Sequence, residues 1–394
     1  MQQRIIDAQN VKRFAGLELN ALMAAGILPT EVFMNAKVEK PTPIYDINGN
    51  VLFFRVSIKK RSTSIGYADI AACKAFSEPL IGVSYGCEWN EKAIVEEATF
   101  AARRQKKGVT FSEVRIVAYS YPKLAVQFTL QGIEILMLEL RTWKPVPKQP
   151  DEKERSDPYF QRWSLLDLPD EKQKRNWQSL TQRLGEWDDI CPPLPGIPAK
   201  TPVIRPEVLN PRVFDDFKPV VKTHSREIHY STDNADHTPC YELRGQLTGV
   251  WCVAASVQML LDFYRYNYQQ TRIASDLGLG TLTAPNGLPY SRDNDVVTVL
   301  QSLTSNALTA SMDTSPSWNE FVTQIDQNHP VISFIPGHSR TVAGYTSTKI
   351  FTWYSFRGLL VYDPWPPTTG VITRWENFAN QSYRVTFTAN LTLV

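Results

Sequence analysis

Thirteen of the chain's 27 prolines fall between residues 145 and 219. Proline lacks a backbone N–H and has a fixed φ, so neither a helix interior nor a central strand runs freely through such a stretch. The 394-residue chain therefore divides into residues 1–144, a connector over 145–219, and residues 220–394. Each flanking part is long enough for a core of its own. The connector is not featureless. Trp163, Leu165, Leu168, Trp177, Leu184 and Trp187 need burial, which predicts a short helix over about 170–186 docked on one of the two domains. Its most polar run, 151–157, is a candidate for a proteolytic nick.

In the last part, Gln246-Leu-Thr-Gly-Val-Trp251-Cys252 leads into Val253-Ala-Ala-Ser-Val-Gln-Met-Leu-Leu-Asp-Phe-Tyr264. Apolar residues at 254, 257, 260, 261 and 264 recur at helical spacing, so Cys252 should sit in the first turn of a helix. The free N–H groups and dipole of that turn favour a thiolate, the reactive form of cysteine. Gln246 lies where a folded-back loop aims its side-chain NH2 at a developing oxyanion, with a first-turn backbone N–H as second donor. A thiolate also needs a base. Of the five histidines, only His338 stands between two strand-like runs, 331–335 and 341–345. A third run at 359–362 delivers Asp363-Pro364-Trp365. Cysteine, histidine and aspartate in this order suit a nucleophile, its base and the group that orients the base. Trp365 is placed to cover the His–Asp hydrogen bond. His224, His229, His237 and His329 lack such company and read as surface residues.

These residues resemble the papain-like cysteine peptidases over roughly 240–394. The resemblance is strongest to the microbial branch that includes streptopain, staphopain and the bacteriocin-leader peptidases. The plant-type Cys-Gly-Ser-Cys-Trp run is absent, since Trp251 precedes the cysteine, and Asp363 stands where plant-type enzymes use asparagine. The resemblance implies an α+β fold with a helical half and an antiparallel β half, and Cys252 facing His338 across the cleft between them. It implies a triad of Cys252, His338 and Asp363, with Gln246 in the oxyanion hole. Helix-like segments at 271–279, 293–303 and 317–327, followed by a strand-rich region from 331, agree with that division.

The first part reads as a second α+β domain: a helix at 7–25, another at 90–107, and strands at 114–120, 123–130 and 133–140. Asn48-Gly49 between β-type runs is a strong hairpin signal. Residues 43–85, with Tyr45-Asp46-Ile-Asn48-Gly49-Asn50, resemble the streptopain propeptide. That implies an inhibitory prodomain, an enzyme made as a zymogen, and activation by cleavage in the connector, autocatalytic if one molecule cuts another. The alternative is a carbohydrate- or wall-binding module. Asp46-x-Asn48-x-Asn50 also echoes a calcium loop, but Ser57 stands where the acidic twelfth ligand belongs, so a simple turn is expected.

Composition narrows the remaining classes. A net charge of +2 and 21% charged residues give no argument for nucleic acid or a membrane surface. No run of eighteen apolar residues predicts a membrane span, and the first residues carry no signal-peptide pattern. The localisation is left open, although relatives in the resembled family are often secreted. Five cysteines, widely spaced and without a Cys-x-x-Cys pair, point away from zinc and from a disulfide framework. Cys240 is close enough in sequence to modulate Cys252, though a buried thiol is the simpler reading. The expectation is a monomeric endopeptidase that needs no cofactor, only reducing conditions for its thiol, and that acts on proteins or peptides. Its rivals are an acyltransferase or deamidase on the same triad, and a non-catalytic two-domain binding protein.

Overall fold

The computed structural model describes Ile6 and residues 8–147, 162–191, 206–217, 222–228 and 242–392. Cys240, His229, His237 and the expected nick at 151–157 lie outside the described residues. The first part runs α1 (Ala8–Ala24), α2 (Thr30–Phe33), β1 (Lys37–Tyr45), β2 (Val51–Lys60), β3 (Thr63–Ala71), β4 (Leu80–Tyr85), α3 (Glu91–Gln105), β5 (Glu113–Ser120), β6 (Lys123–Leu130) and β7 (Ile133–Glu139). The connector supplies α4 (Asp170–Ile190), and β8 (Lys222–Glu227) follows it. The last part runs α5 (Cys252–Phe263), α6 (Gln270–Asp276), α7 (Asp295–Leu303), β9 (Leu308–Asp313), α8 (Trp318–Asp326), β10 (Val331–Ile335), β11 (His338–Lys349), β12 (Ser355–Asp363), β13 (Val371–Asn377) and β14 (Val385–Leu391).

Local chemistry accounts for many of these boundaries. Asn90 Oδ1 accepts from Ala93 N at 3.2 Å and caps α3, and Ser317 Oγ accepts from Glu320 N at 3.3 Å and caps α8. In the β1–β2 hairpin, Asp46 Oδ1 accepts from Asn48 N and Asn50 N at 3.0 and 2.7 Å. Asp46 Oδ2 accepts from Ser164 Oγ at 2.9 Å. Both carboxylate oxygens are thus taken by the turn itself and by the connector.

The described strands form one mixed sheet of fourteen, ordered β7-β6-β5-β1-β2-β3-β4-β13-β12-β11-β10-β14-β9, with β8 alongside β11. Strands of the first part and of the last part meet at β4–β13, where Val83 faces Trp375 and Gly82 faces Glu376. Asn377 Nδ2 and Asn380 Nδ2 extend the joint by donating to Leu80 O at 3.0 and 2.9 Å. The apolar core crosses the same line: Phe54, Val56 and Ile70 share a cluster with Phe356, Leu360 and Trp375. A second cluster packs α5, α6 and α7 on β10 and β14. No helix among the described residues is long and apolar enough to cross a membrane.

Helix α4 departs from the expectation that it docks on one domain. It bridges both. Asn176 Nδ2 donates to Ala75 O at 2.9 Å and Arg183 Nε to Glu78 Oε2 at 2.9 Å, while Arg183 Nη1 donates to Trp353 O and Lys172 to Ser382 Oγ. The reason lies in Trp187, which packs on Trp353 and Tyr354 of the last part and donates from Nε1 to Glu18 Oε1 of α1 at 2.7 Å. Burying one large ring against two elements at once fixes the helix between them.

Glu18 gives this junction a pH dependence. Its other oxygen accepts from Tyr354 OH at 2.7 Å, but burial outweighs both hydrogen bonds and pushes the carboxyl up to about 7. A carboxyl raised in the folded state favours folding while protonated. That stability is fully present below about 4.5, the ordinary value, and is lost as pH rises to about 7. The difference amounts to about 3 kcal/mol. Glu18→Gln should therefore melt higher than the unsubstituted protein at pH 8, with the gap closing toward pH 5. Calorimetric melting at both values checks this, and a gap that does not change with pH refutes it.

Candidate active site

The site begins where α5 begins. Gln246 N donates to Pro364 O at 2.9 Å and Gln246 O accepts from Thr368 N at 2.8 Å, tying the lead-in to the segment after β12. Gly245 is required there, since a Cβ would come within 2.3 Å of the Thr368 carbonyl carbon. Gln270 clamps the same loop, accepting from Leu247 N at 3.0 Å and donating to Gly245 O at 2.9 Å. Trp251 Nε1 donates to Leu279 O at 2.9 Å. The chain then turns into α5, and Cys252 is its first residue, as the spacing predicts.

His338 is delivered by a tight hairpin. Ile335 of β10 pairs directly with His338 of β11, so Pro336-Gly337 forms the whole loop, with Gly337 at φ 71°. Asp363 ends β12, and its Oδ1 lies 2.6 Å from His338 Nε2. Their side chains are 0% and 4% exposed. Trp365 N donates to the same Asp363 oxygen at 2.8 Å, which holds the carboxylate still. A further tie sets the gap between helix and strand. Ser256 lies one turn after Cys252 on the same face of α5, and Ser339 Oγ beside His338 donates to Ser256 Oγ at 2.8 Å.

Cys252 is 7% exposed. Burial pushes its thiol up, but the hydrogen bond and charge of His338, the charge of Lys123 and the Ser339 backbone together draw it down to about 7. On the imidazole, burial pulls down and the Asp363 carboxylate and Cys252 outweigh it, so His338 is raised. Two groups that each favour the other's charged form make an ion pair accessible near neutral pH. They line a cleft of about 210 Å³ whose other walls include Asn286, Leu288, Lys123 and Arg384. Arg384 is paired with Asp293, at 3.0 Å for Nη2, and stacks on Tyr290.

Gln246 is fully buried and is not among the residues that line the cleft; its backbone is tied to Pro364 beside Asp363, and its Nε2 donates one hydrogen to Thr248 O at 2.7 Å. The second amide hydrogen is free of that bond. His224 is exposed on β8 and His329 is half-buried, neither near the cleft wall. No group of three metal-ligating side chains occurs among the described residues.

The first part of the chain also reaches the site, which the sequence reading missed. Glu139 of β7 accepts from Trp365 Nε1 at 3.1 Å and from Tyr119 OH at 2.8 Å. The Trp365 indole thus joins the site to β7. Lys123 of β6 stands in the cleft wall, and Trp163 lies against Gly337. Lys123 reads from the sequence only as the first residue of a strand, so no local signal marks it as part of the site.

The site brings together a buried cysteine at a helix start, a strand-borne histidine and an aspartate at the end of the next strand, groups suited to nucleophilic attack on an acyl carbon. Residues 238–388 match the model of the Peptidase_C39 like family. Two solved structures are similar at 15% identity and a TM-score of 0.26. A double glycine motif protease from an AMS/PCAT transporter, in complex with the leader peptide, is matched over 38% of this chain and 91% of that one. UfSP from C. elegans is matched over 77% of this chain and 54% of that one, so the chain spans about half of UfSP's length. No curated protein matches the chain.

Proposed function

We propose that the protein is a cysteine endopeptidase working through Cys252, His338 and Asp363. The observation that carries the reading is the Cys252 thiol drawn to about 7 beside an imidazole held by Asp363 at 2.6 Å. Cys252 Sγ attacks the peptide carbonyl carbon, and the oxyanion is met by the Cys252 backbone N–H and the remaining amide hydrogen of Gln246. The C–N bond breaks as the His338 imidazolium gives its proton to the departing amine. Water, deprotonated by His338, then attacks the thioester, and the C–S bond breaks to release the acid and the thiol. Asp363 holds the ring and stabilises its charge without taking the proton. No cofactor enters these steps, but the thiol must be kept reduced. A monomer suffices, since all these groups lie on one chain.

For regulation, the division into residues 1–144, 145–219 and 220–394 supports a zymogen of the streptopain kind, activated by a cut in the connector. The near-complete burial of Cys252 is what an occluded site needs. A second reading is favoured by the shared core of Phe54, Val56, Phe356 and Trp375: residues 1–144 stay attached as a permanent wall of the site. Separating them exposes apolar surface on both parts.

One experiment tests the activity and both readings. Full-length protein, protein cut in the connector, and residues 220–394 alone are each treated with an epoxysuccinyl thiol inhibitor and assayed on peptides. Labelling of Cys252 with peptide-bond hydrolysis is the expected result. Amide release without chain cleavage, or acyl transfer to an added amine, points to the deamidase or acyltransferase alternative. A gain of activity on cutting supports the zymogen. Activity kept by the cut complex but lost by the isolated fragment supports the permanent wall. Absence of both labelling and turnover in all three forms overturns the peptidase.

A further inference from the structure

Lys123 opens β6 in the first part of the chain, yet it is 4% exposed and lines the cleft beside Cys252 and His338. Its Nζ donates to Gly337 O at 3.1 Å, the carbonyl immediately before His338. The turn it holds is crowded from the same side. A Cβ on Gly337 would meet Ser120 Oγ at 2.9 Å and Trp163 Nε1 at 3.2 Å, and Trp163 itself donates to Ser120 at 3.0 Å. The other cation of the cleft, Arg384, has its carboxylate in Asp293. Lys123 has no carboxylate partner among the described residues, and one carbonyl takes only one of its three hydrogens. A buried ammonium without a counter-ion is costly. The anion available in that cleft is the thiolate of Cys252.

We propose that Lys123 is a positioning residue supplied to the peptidase site by the N-terminal part: it holds the Gly337 carbonyl, and with it the His338 turn, and its charge favours the Cys252 thiolate. The inference rests on the peptidase reading of Cys252 and His338 and adds a residue from outside the segment that matches the family. A charge at short range across a poorly solvated cleft acts more strongly than it does in water. Its pull on the thiol adds to that of His338. Thiolate formation then depends on residues 1–144 being in place, so the competent enzyme is the intact chain or a cut complex that keeps that part bound.

The test is the pH dependence of alkylation at Cys252 in full-length protein, followed by peptide mapping so that Cys73, Cys87, Cys191 and Cys240 do not confuse the rate. Lys123→Gln keeps a donor for Gly337 O and loses the charge. Lys123→Arg keeps both, and Lys123→Met loses both. With iodoacetamide, the Gln and Met variants should react about 3- to 10-fold more slowly at pH 6.5 and at the unchanged limiting rate at high pH. The Arg variant should follow the unsubstituted profile. The preference for anionic iodoacetate over iodoacetamide should fall in Gln and Met alone, since it reads the cation directly. If Met does not fold, Gln and Arg carry the comparison. A folded Gln variant with an unshifted profile and an unchanged iodoacetate preference overturns the proposal. His338→Ala separates this from the underlying reading. If it moves the profile and Lys123→Gln does not, only the role of Lys123 falls. If the unsubstituted thiol reacts as an ordinary cysteine and neither variant changes it, the peptidase reading falls as well.

Discussion

Cys252→Ala is expected to abolish peptide hydrolysis and to leave the fold in place. The reason is specific to the position. Cys252 is the first residue of α5, so its side chain carries no helical hydrogen bond, and alanine is the best helix former. The helix remains anchored by Trp251 Nε1 on Leu279 O and by Ser256 on Ser339. No other nucleophile among the cleft residues replaces it: Ser339 is buried and gives its hydroxyl to Ser256. Loss of the nucleophile from a triad typically costs about 10⁴-fold or more in turnover. Melting curves and peptide assays on purified protein check both halves of this expectation. Turnover within about 100-fold of the unsubstituted enzyme, with contamination controlled, places the chemistry elsewhere.

His338→Ala comes next in size. With the imidazole gone, burial still pushes the Cys252 thiol up, and the largest opposing contribution is removed. At pH 7 the thiol is then almost wholly protonated, and no group remains to protonate the leaving amine. A loss of about 10³-fold or more is expected in turnover. The alkylation profile of Cys252 should shift as well. In the unsubstituted protein reactivity rises through about 7, whereas in the variant the rise moves to alkaline pH. Asp363→Ala should lose less than His338→Ala, because Asp363 orients the ring without carrying the proton. Reversal of that order, or a His338→Ala thiol still reactive at pH 6.5, contradicts the assignment.

Particular elements show what was readable beforehand. Cys252 at a helix start and Asp363 at a strand end were legible from the hydrophobic period, whereas His338 was placed between two strand-like runs and the structure begins β11 at it. The Asn90 and Ser317 caps and the Asn48-Gly49 turn were legible for a similar reason: each is settled by atoms within four residues. The Ser256–Ser339 tie was not. Its two members are buried serines on different elements, and nothing local pairs one with the other.

The sequence by itself determined the type and approximate limits of α1, α3, α5, α7 and α8 and of β5, β6, β7 and β10, and the order of Cys252, His338 and Asp363, while α2, β8 and β9 left no readable signal and β13 no readable bounds. Short-range backbone sterics, capping and burial period decide those things within one element. Only the tertiary structure decided that β4 pairs with β13, that α4 lies on both parts, and that Lys123 and Glu139 reach a site 214 and 226 residues further along the chain. An unpaired sheet edge offers the same N–H and C=O groups to any partner, so its choice leaves no period in the sequence. The choice is made by side chains such as Trp187 and Trp375, which find a dry environment only when the two parts close on one core.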